Sequence, residues 1–166
     1  PAGHQPMCYL NGRCWIVLNG EIYNYIEIRE ELLQKGYKFE SNSDTEVVLA
    51  AWHEWGRDCQ HLFNGMWAFV IFDIEKQEIF ISRDRFGIKP LYYWISPQDN
   101  FCFASEIKQF TVLPGWKAVV NPQRAYDFLF YSLSDHTNET MFQNVFCLPP
   151  GHYLYMPFEH FKISKK

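Results

Sequence analysis

Apolar and polar positions follow first one period and then another along this chain. Trp15 to Leu18 is a short apolar, β-rich run closed by Asn19-Gly20, the pattern of a buried strand delivered into a tight backbone feature. From Asn24 the period lengthens. Ile28, Leu32 and Leu33 fall on one helical face, while Glu27, Arg29, Glu30 and Glu31 face water; Asn24 is placed to cap this helix and Gly36 to stop it. Ser43-Asp44-Thr45-Glu46 has the capping-box spacing and introduces a second helix over Val47 to Trp55, ended by Gly56. The pattern then shortens again. Met66 to Phe72 and Ile79 to Ser82 predict a hairpin across the polar segment Asp73 to Glu78, and Leu91 to Ile95 with Phe101 to Ala104 repeat it across Ser96 to Asn100. Asn121-Pro122 is a helix start, continued by the aromatic-rich face of Ala125 to Leu133, and His152 to Met156 predicts a last strand. With no internal repeat or linker, the pattern gives an α+β domain of largely antiparallel sheets covered by helices.

Composition narrows the function classes. The chain has 166 residues, 48% apolar and 20% charged, enough to bury a sizeable core. Its net charge of −4 leaves no basic field for a nucleic-acid backbone or an anionic bilayer, so neither nucleic acid nor membrane is an expected partner. The longest apolar runs fall far below the roughly 18 residues a membrane span needs, and Pro1 to Gln5 lacks the features of a signal peptide, so a cytoplasmic location is expected. Aromatic residues make up 19% of the chain, which implies a core of large flat side chains. Cys8, Cys14, Cys59, Cys102 and Cys147 show neither a C-x-x-C pair nor an even count, as reduced cysteines outside any disulfide or zinc framework do.

Phosphate loops, zinc-protease helices and serine elbows are absent from the sequence, and its six histidines are scattered. The segment Asn19-Gly20-Glu21-Ile22-Tyr23-Asn24 is the candidate that remains. It can be a plain strand-to-helix turn with Asn24 as cap. It can also be chemistry: a glycine lets substrate approach the backbone, its N–H can donate to a developing oxyanion, and the neighbouring Asn amide can be a second donor. Asp44 is open to two readings as well, a helix-start carboxylate favoured by the macrodipole or a partner for a substrate ammonium.

Five ordered blocks bear on the choice: Asn19 to Asn24, Ser43 to Glu46, Gly65-Met66-Trp67-Ala68-Phe69, Arg83-Asp84-Arg85-Phe86-Gly87-Ile88-Lys89-Pro90-Leu91-Tyr92-Tyr93, and Ala104-Ser105-Glu106-Ile107-Lys108. In order and spacing they resemble the glutaminase domain of glutamine-hydrolysing asparagine synthetases, a likeness running from Gly3 to Gly151. The resemblance implies a class II glutamine amidotransferase of the N-terminal-nucleophile hydrolase type, a four-layer αββα sandwich. In that family an N-terminal cysteine thiolate attacks the glutamine side-chain amide, giving a γ-glutamyl thioester and ammonia, and water then releases glutamate. Asn19 and Gly20 match the family's oxyanion hole, and Glu21 and Asp44 match the residues that bind the glutamine α-amino end. The implied partners are glutamine, the synthetase domain of a full-length chain and a second copy in a homodimer. No cofactor belongs to this domain; ATP and Mg belong to the synthetase domain.

Family chains start with Met-Cys-Gly and place several dozen residues before the block resembling Gly3 to Met7, whereas this one starts at Pro1. Residues 1–157 are therefore expected to be the amidotransferase domain, incomplete at its N-terminus and without the nucleophile, and 158–166 the start of a linker. Cys8 precedes the strand that leads to Asn19 and does not take the nucleophile's place. The 166 residues alone are expected to be destabilised and not to hydrolyse glutamine. The alternative is a non-catalytic glutamine-binding or scaffolding relic of the same fold.

Overall fold

The computed structural model describes residues 3–160 and contains two compact units, one reaching Lys89 and taking back Pro150–Phe158, the other Pro90–Pro149. The first holds a five-stranded antiparallel sheet in the order β1 (Met7–Tyr9), β2 (Cys14–Ile22), β3 (Gly65–Asp73), β4 (Glu78–Arg83), β8 (Tyr153–Pro157). It also holds α1 (Tyr25–Gln34), α2 (Asp44–Trp55) and the short α3 (Cys59–Leu62). The second holds β5 (Tyr92–Ile95), β6 (Phe101–Ala104) and β7 (Val145–Cys147), an antiparallel sheet in the order β6-β5-β7, together with α4 (Pro122–Tyr131). The fold is α+β, as the pattern predicts.

One face of the five-stranded sheet makes the main core. Alternation along β2 turns Cys14, Ile16, Leu18 and Ile22 to the buried side, where they meet Trp67, Phe69 and Ile71 of β3, Phe80 of β4, and Ile28 and Leu32 of α1. Helix α2 is buried continuously from Thr45 to Trp52. Trp52 stacks on Phe80 with ring centroids 4.8 Å apart and donates its indole N–H to Asp73 Oδ2 at 3.1 Å. Burying Phe69 and Phe80 contributes roughly 1.5–3 kcal/mol each. In the second unit Trp94, Phe110 and Val145 form a smaller cluster, with Trp116 and Phe142 packed against it.

Local expectations fail where tertiary contacts take over a polar group. The expected turn at Asn19-Gly20 is strand, because β3 pairs with β2 as far as Ile22↔Gly65. Asn24 stands at the N-cap position of α1 without capping it; its side chain donates to Leu62 O at 2.9 Å and accepts from Asn64 N at 2.8 Å. Leu33, expected on the buried face, is exposed. The Ser43 hydroxyl caps α2 by accepting from Thr45 N, but Glu46 does not close the box; its carboxylate accepts from Glu40 N, Ser41 N and Ser41 Oγ. Strands β1 and β7 and helix α3 carry no pattern long enough to have been predicted. Helix α4 ends at Tyr131, short of the predicted Leu133, because Ser132 is left-handed at φ 56°. Of the expected linker 158–166, Phe158–His160 forms a 3-10 turn, and 161–166 lie outside the described residues.

Candidate active site

The end of β2 is where candidate chemistry and fold meet. Backbone groups of a strand alternate in direction, and Tyr23 N donates to Asn64 O at 2.7 Å, so odd-numbered amides of this stretch face β3. Even-numbered amides face the opposite edge, where, among the described residues, β1 pairs with Cys14 to Ile16. Beyond it, side chains take over: Leu18 N donates to Gln5 Oε1 at 2.6 Å and Ile22 N to Asp44 Oδ2 at 3.0 Å. The Gly20 N–H falls on the same edge, midway between two amides that each have a side-chain acceptor. Its direction is that of a donor offered to something outside the ladder.

Gly20 is also required sterically. At φ +150° its backbone lies so close to β3 that a Cβ would overlap the Met66 carbonyl oxygen and stand 2.7 Å from Trp67 Cα. Asn19 is half-buried on the sheet face it shares with Ala68 and Arg83, its neighbours across the ladder. Glu21 is exposed opposite Met66. Asp44, at the first position of α2, ties the helix start to the strand end through Ile22 N and also accepts from the Thr45 hydroxyl at 3.4 Å. The structure therefore brings the four predicted residues Asn19, Gly20, Glu21 and Asp44 to one end of one strand.

A supporting residue escaped the sequence reasoning. Asp84 is fully buried and its carboxylate accepts four backbone amides: Phe86 N and Ile88 N on Oδ1, each at 3.0 Å, and Lys89 N at 3.0 Å and Trp67 N at 3.3 Å on Oδ2. Its own N–H donates to Trp67 O at 2.8 Å. Both backbone groups of Trp67, the residue opposite Gly20, are thus held by Asp84. Arg83 closes the same loop by donating to Lys89 O and Gly87 O. Asp84 belongs to the Arg83–Tyr93 block of the resemblance, which gives it no role, and an acidic residue between two arginines before Phe86-Gly87 marks a loop but not a buried one.

The cysteines of this unit stand apart from that edge. Cys8 pairs with Trp15, four residues along β2 from Asn19 and so about 13 Å away. Cys14 and Cys59 are buried, and burial above all pushes each thiol up to about 12, with Asp73 adding to the effect at Cys14 and Asp58 at Cys59.

The sequence pattern that defines the glutamine amidotransferase domain matches residues 1–165. The chain belongs to that family. It is 47% identical over 110 residues to asparagine synthetase [glutamine-hydrolyzing] 1 of Bacillus subtilis, covering 66% of this chain and 17% of that protein. Against asparagine synthetase [glutamine-hydrolyzing] 3 of the same organism it is 36% identical over 154 residues, covering 92% of this chain and 25% of the relative. Amidase chry2 of Gibberella zeae is 34% identical over 161 residues, covering 93% and 22%. This amidotransferase chain thus spans a quarter or less of the length of these relatives. Among solved structures, the allosteric regulatory enzyme of purine biosynthesis superposes with a TM-score of 0.65 at 20% identity, covering 93% of this chain and 29% of that one, a likeness of fold.

Proposed function

We propose that this chain is the glutamine-hydrolysing part of an asparagine synthetase-like enzyme. The Gly20 N–H carries the reading: it is turned to the β1-side edge of β2, between Leu18 and Ile22, whose amides already have side-chain acceptors, and next to the Asn19 side chain. In this scheme a thiolate attacks the side-chain carbonyl carbon of glutamine, and the C=O electron pair moves onto oxygen. Asn19 Nδ2–H and Gly20 N–H donate to that oxyanion, each worth on the order of 3 kcal/mol in the barrier. The tetrahedral intermediate collapses with a proton transferred to nitrogen, ammonia leaves and a γ-glutamyl thioester remains. Water then cleaves the thioester to glutamate. Glu21 and Asp44 receive the substrate α-ammonium, Asp44 through the capacity its carboxylate keeps after accepting from Ile22 N.

In this scheme the thiolate is that of the N-terminal cysteine implied by the family resemblance, and not that of Cys8, which is too far along the sheet, or of Cys14 or Cys59, which are held as buried thiols. The partners of the whole enzyme are glutamine, a synthetase domain and a homodimeric second copy. In the synthetase domain ATP and Mg activate aspartate for the ammonia made here. Among the described residues no helix is long and apolar enough to cross a membrane.

Asn19→Ala in the full-length enzyme tests this. Glutamine hydrolysis is expected to lose roughly 10²–10³-fold in kcat with little change in KM, because the donor acts on charge that develops only in the transition state. A kcat within about threefold of wild type refutes the oxyanion role of Asn19.

A further inference from the structure

The Gly20 N–H can serve an oxyanion only if the β1–β2 ladder stops short of it. The register Met7↔Ile16, Cys8↔Trp15, Tyr9↔Cys14, carried further, sets Gln5 opposite Leu18 and Gly3 opposite Gly20. In a continuing strand the Gly3 carbonyl would therefore take the Gly20 N–H. The chain does not go there: Gly3 turns at φ +95° beside Ser43, where a Cβ would stand 3.9 Å from the hydroxyl oxygen. A side chain makes the next bond of the ladder instead. Gln5 Oε1 accepts from Leu18 N at 2.6 Å, as the Gln5 carbonyl would in a continuing strand. Two side chains thus bracket Gly20 on this edge, Gln5 at Leu18 before it and Asp44 at Ile22 after it. Asp44 is assigned to the substrate ammonium, whereas Gln5 is an exposed residue with no part in the scheme so far.

We propose that Gln5 is a positioning residue for glutamine hydrolysis, a side-chain stop that satisfies the last amide before Gly20 and leaves the Gly20 N–H to the oxyanion. The proposal rests on the reading of that N–H as an oxyanion donor. A donor serves a transient charge only when its direction is set beforehand. At Gly20 the direction is set on one side by pairing with β3 and on the other by the two bracketing bonds. Without the Gln5 oxygen, Leu18 N turns to water or to another acceptor, and the edge loses its fixed point beside Gly20. Binding of glutamine in its ground state does not pass through Gln5, because Glu21 and Asp44 hold the α-ammonium. What weakens is donation to the charge that develops in the transition state, so the loss falls on kcat.

Gln5→Met in the full-length enzyme removes the acceptor at nearly constant size, and Gln5→Glu puts an oxygen back at the same reach. For Gln5→Met, glutamine hydrolysis is expected to lose roughly tenfold in kcat with KM within about twofold of wild type, a part of the 10²–10³-fold that a whole donor supplies. The γ-aldehyde of glutamate gives a second readout: the thiolate adds to its carbonyl carbon, the C=O electron pair moves onto oxygen, and that oxygen needs the same donors. Its binding should weaken by a similar factor while that of glutamate stays as in wild type. A residue that only stabilises the fold moves neither ratio. Gln5→Glu should recover most of the loss. A Gln5→Met kcat within about twofold of wild type, a loss carried by KM, or an equal loss in Gln5→Glu each overturns the proposal. If Asn19→Ala lowers kcat and Gln5→Met does not, the oxyanion reading stands without Gln5; if neither lowers it, that reading falls and the role of Gln5 falls with it.

Discussion

Replacing Asp84 by Asn changes one atom and tests how far the β2–β3 end depends on a single carboxylate. Each carboxylate oxygen accepts two amides, Phe86 and Ile88 on one and Lys89 and Trp67 on the other. An Asn side chain supplies one oxygen, and in either orientation its NH2 group faces two buried N–H donors. Two charge-assisted bonds, each worth about 1.5–3 kcal/mol, are lost and the remaining pair is weakened. Relief of the buried charge offsets part of this, and a net loss of about 3 kcal/mol is expected. With a urea slope of about 2 kcal/mol/M, the unfolding midpoint falls by roughly 1.5 M, followed by circular dichroism and tryptophan fluorescence. Asp84→Ala should fall at least as far, since it leaves all four amides without the carboxylate. A midpoint for Asp84→Asn within about 0.2 M of wild type, with an unchanged slope, would show that the loop holds itself without the carboxylate.

Two further outcomes follow from the geometry. Gly20→Ala should destabilise by more than about 3 kcal/mol, because the added methyl group meets backbone of Met66 and Trp67 and cannot swing away; chemical denaturation reads it, and a loss below about 1 kcal/mol contradicts the close approach. His53 is neutral in the fold: Tyr37 donates to Glu54 and so accepts from His53 Nδ1–H, which leaves Nε2 to accept from Arg13. Burial first, then the Arg13 charge, lower its pKa from the ordinary 6.5. A histidine with a depressed folded pKa binds its proton more readily unfolded, so this part of the stability is present above about pH 6.5 and is lost as pH falls below it, by at most 1.36 kcal/mol per pH unit. His53→Asn, which keeps an N–H toward Tyr37, should flatten the profile between pH 7.5 and 5.5; identical slopes in wild type and variant would remove His53 from the account.

Continuous apolar runs revealed the strands that are buried on both faces. The hairpin of β3 and β4 is buried over almost its whole length, and β5 and β6 follow as a second pair of runs, so these strands lie close to their predicted places. Strands β1 and β7, three residues each, were invisible because so short a strand is specified by its partner and not by its own period. The site was legible in another way. Local pattern left Asn19-Gly20 as either a turn or an oxyanion hole, and the resemblance chose the residues. Neither could show that Gly20 sits in a continuing strand with its amide turned to the β1 side, beyond the last β1 pair among the described residues, since that depends on where β1 stops.

Three polar residues at helix starts serve other segments, and this bears on how the site is built. Asn24, Glu46 and Asp44 all stand at helix starts, where a side chain can satisfy the backbone of its own helix. In the fold each reaches outward instead: Asn24 to Leu62 and Asn64, Glu46 to Glu40 and Ser41, Asp44 to Ile22. A cap that serves a distant segment gives up local helix stabilisation of about 1 kcal/mol and gains a fixed joint between elements. At Asp44 the joint joins the start of α2 to the residue after Glu21, so the two carboxylates assigned to the substrate ammonium are positioned by the same hydrogen bond that ends the strand. Asp84 fixes the other side by holding Trp67 across from Gly20. Gly20, the proposed oxyanion donor, is therefore held from both neighbouring segments before any substrate arrives, as a donor aimed at a transient charge requires.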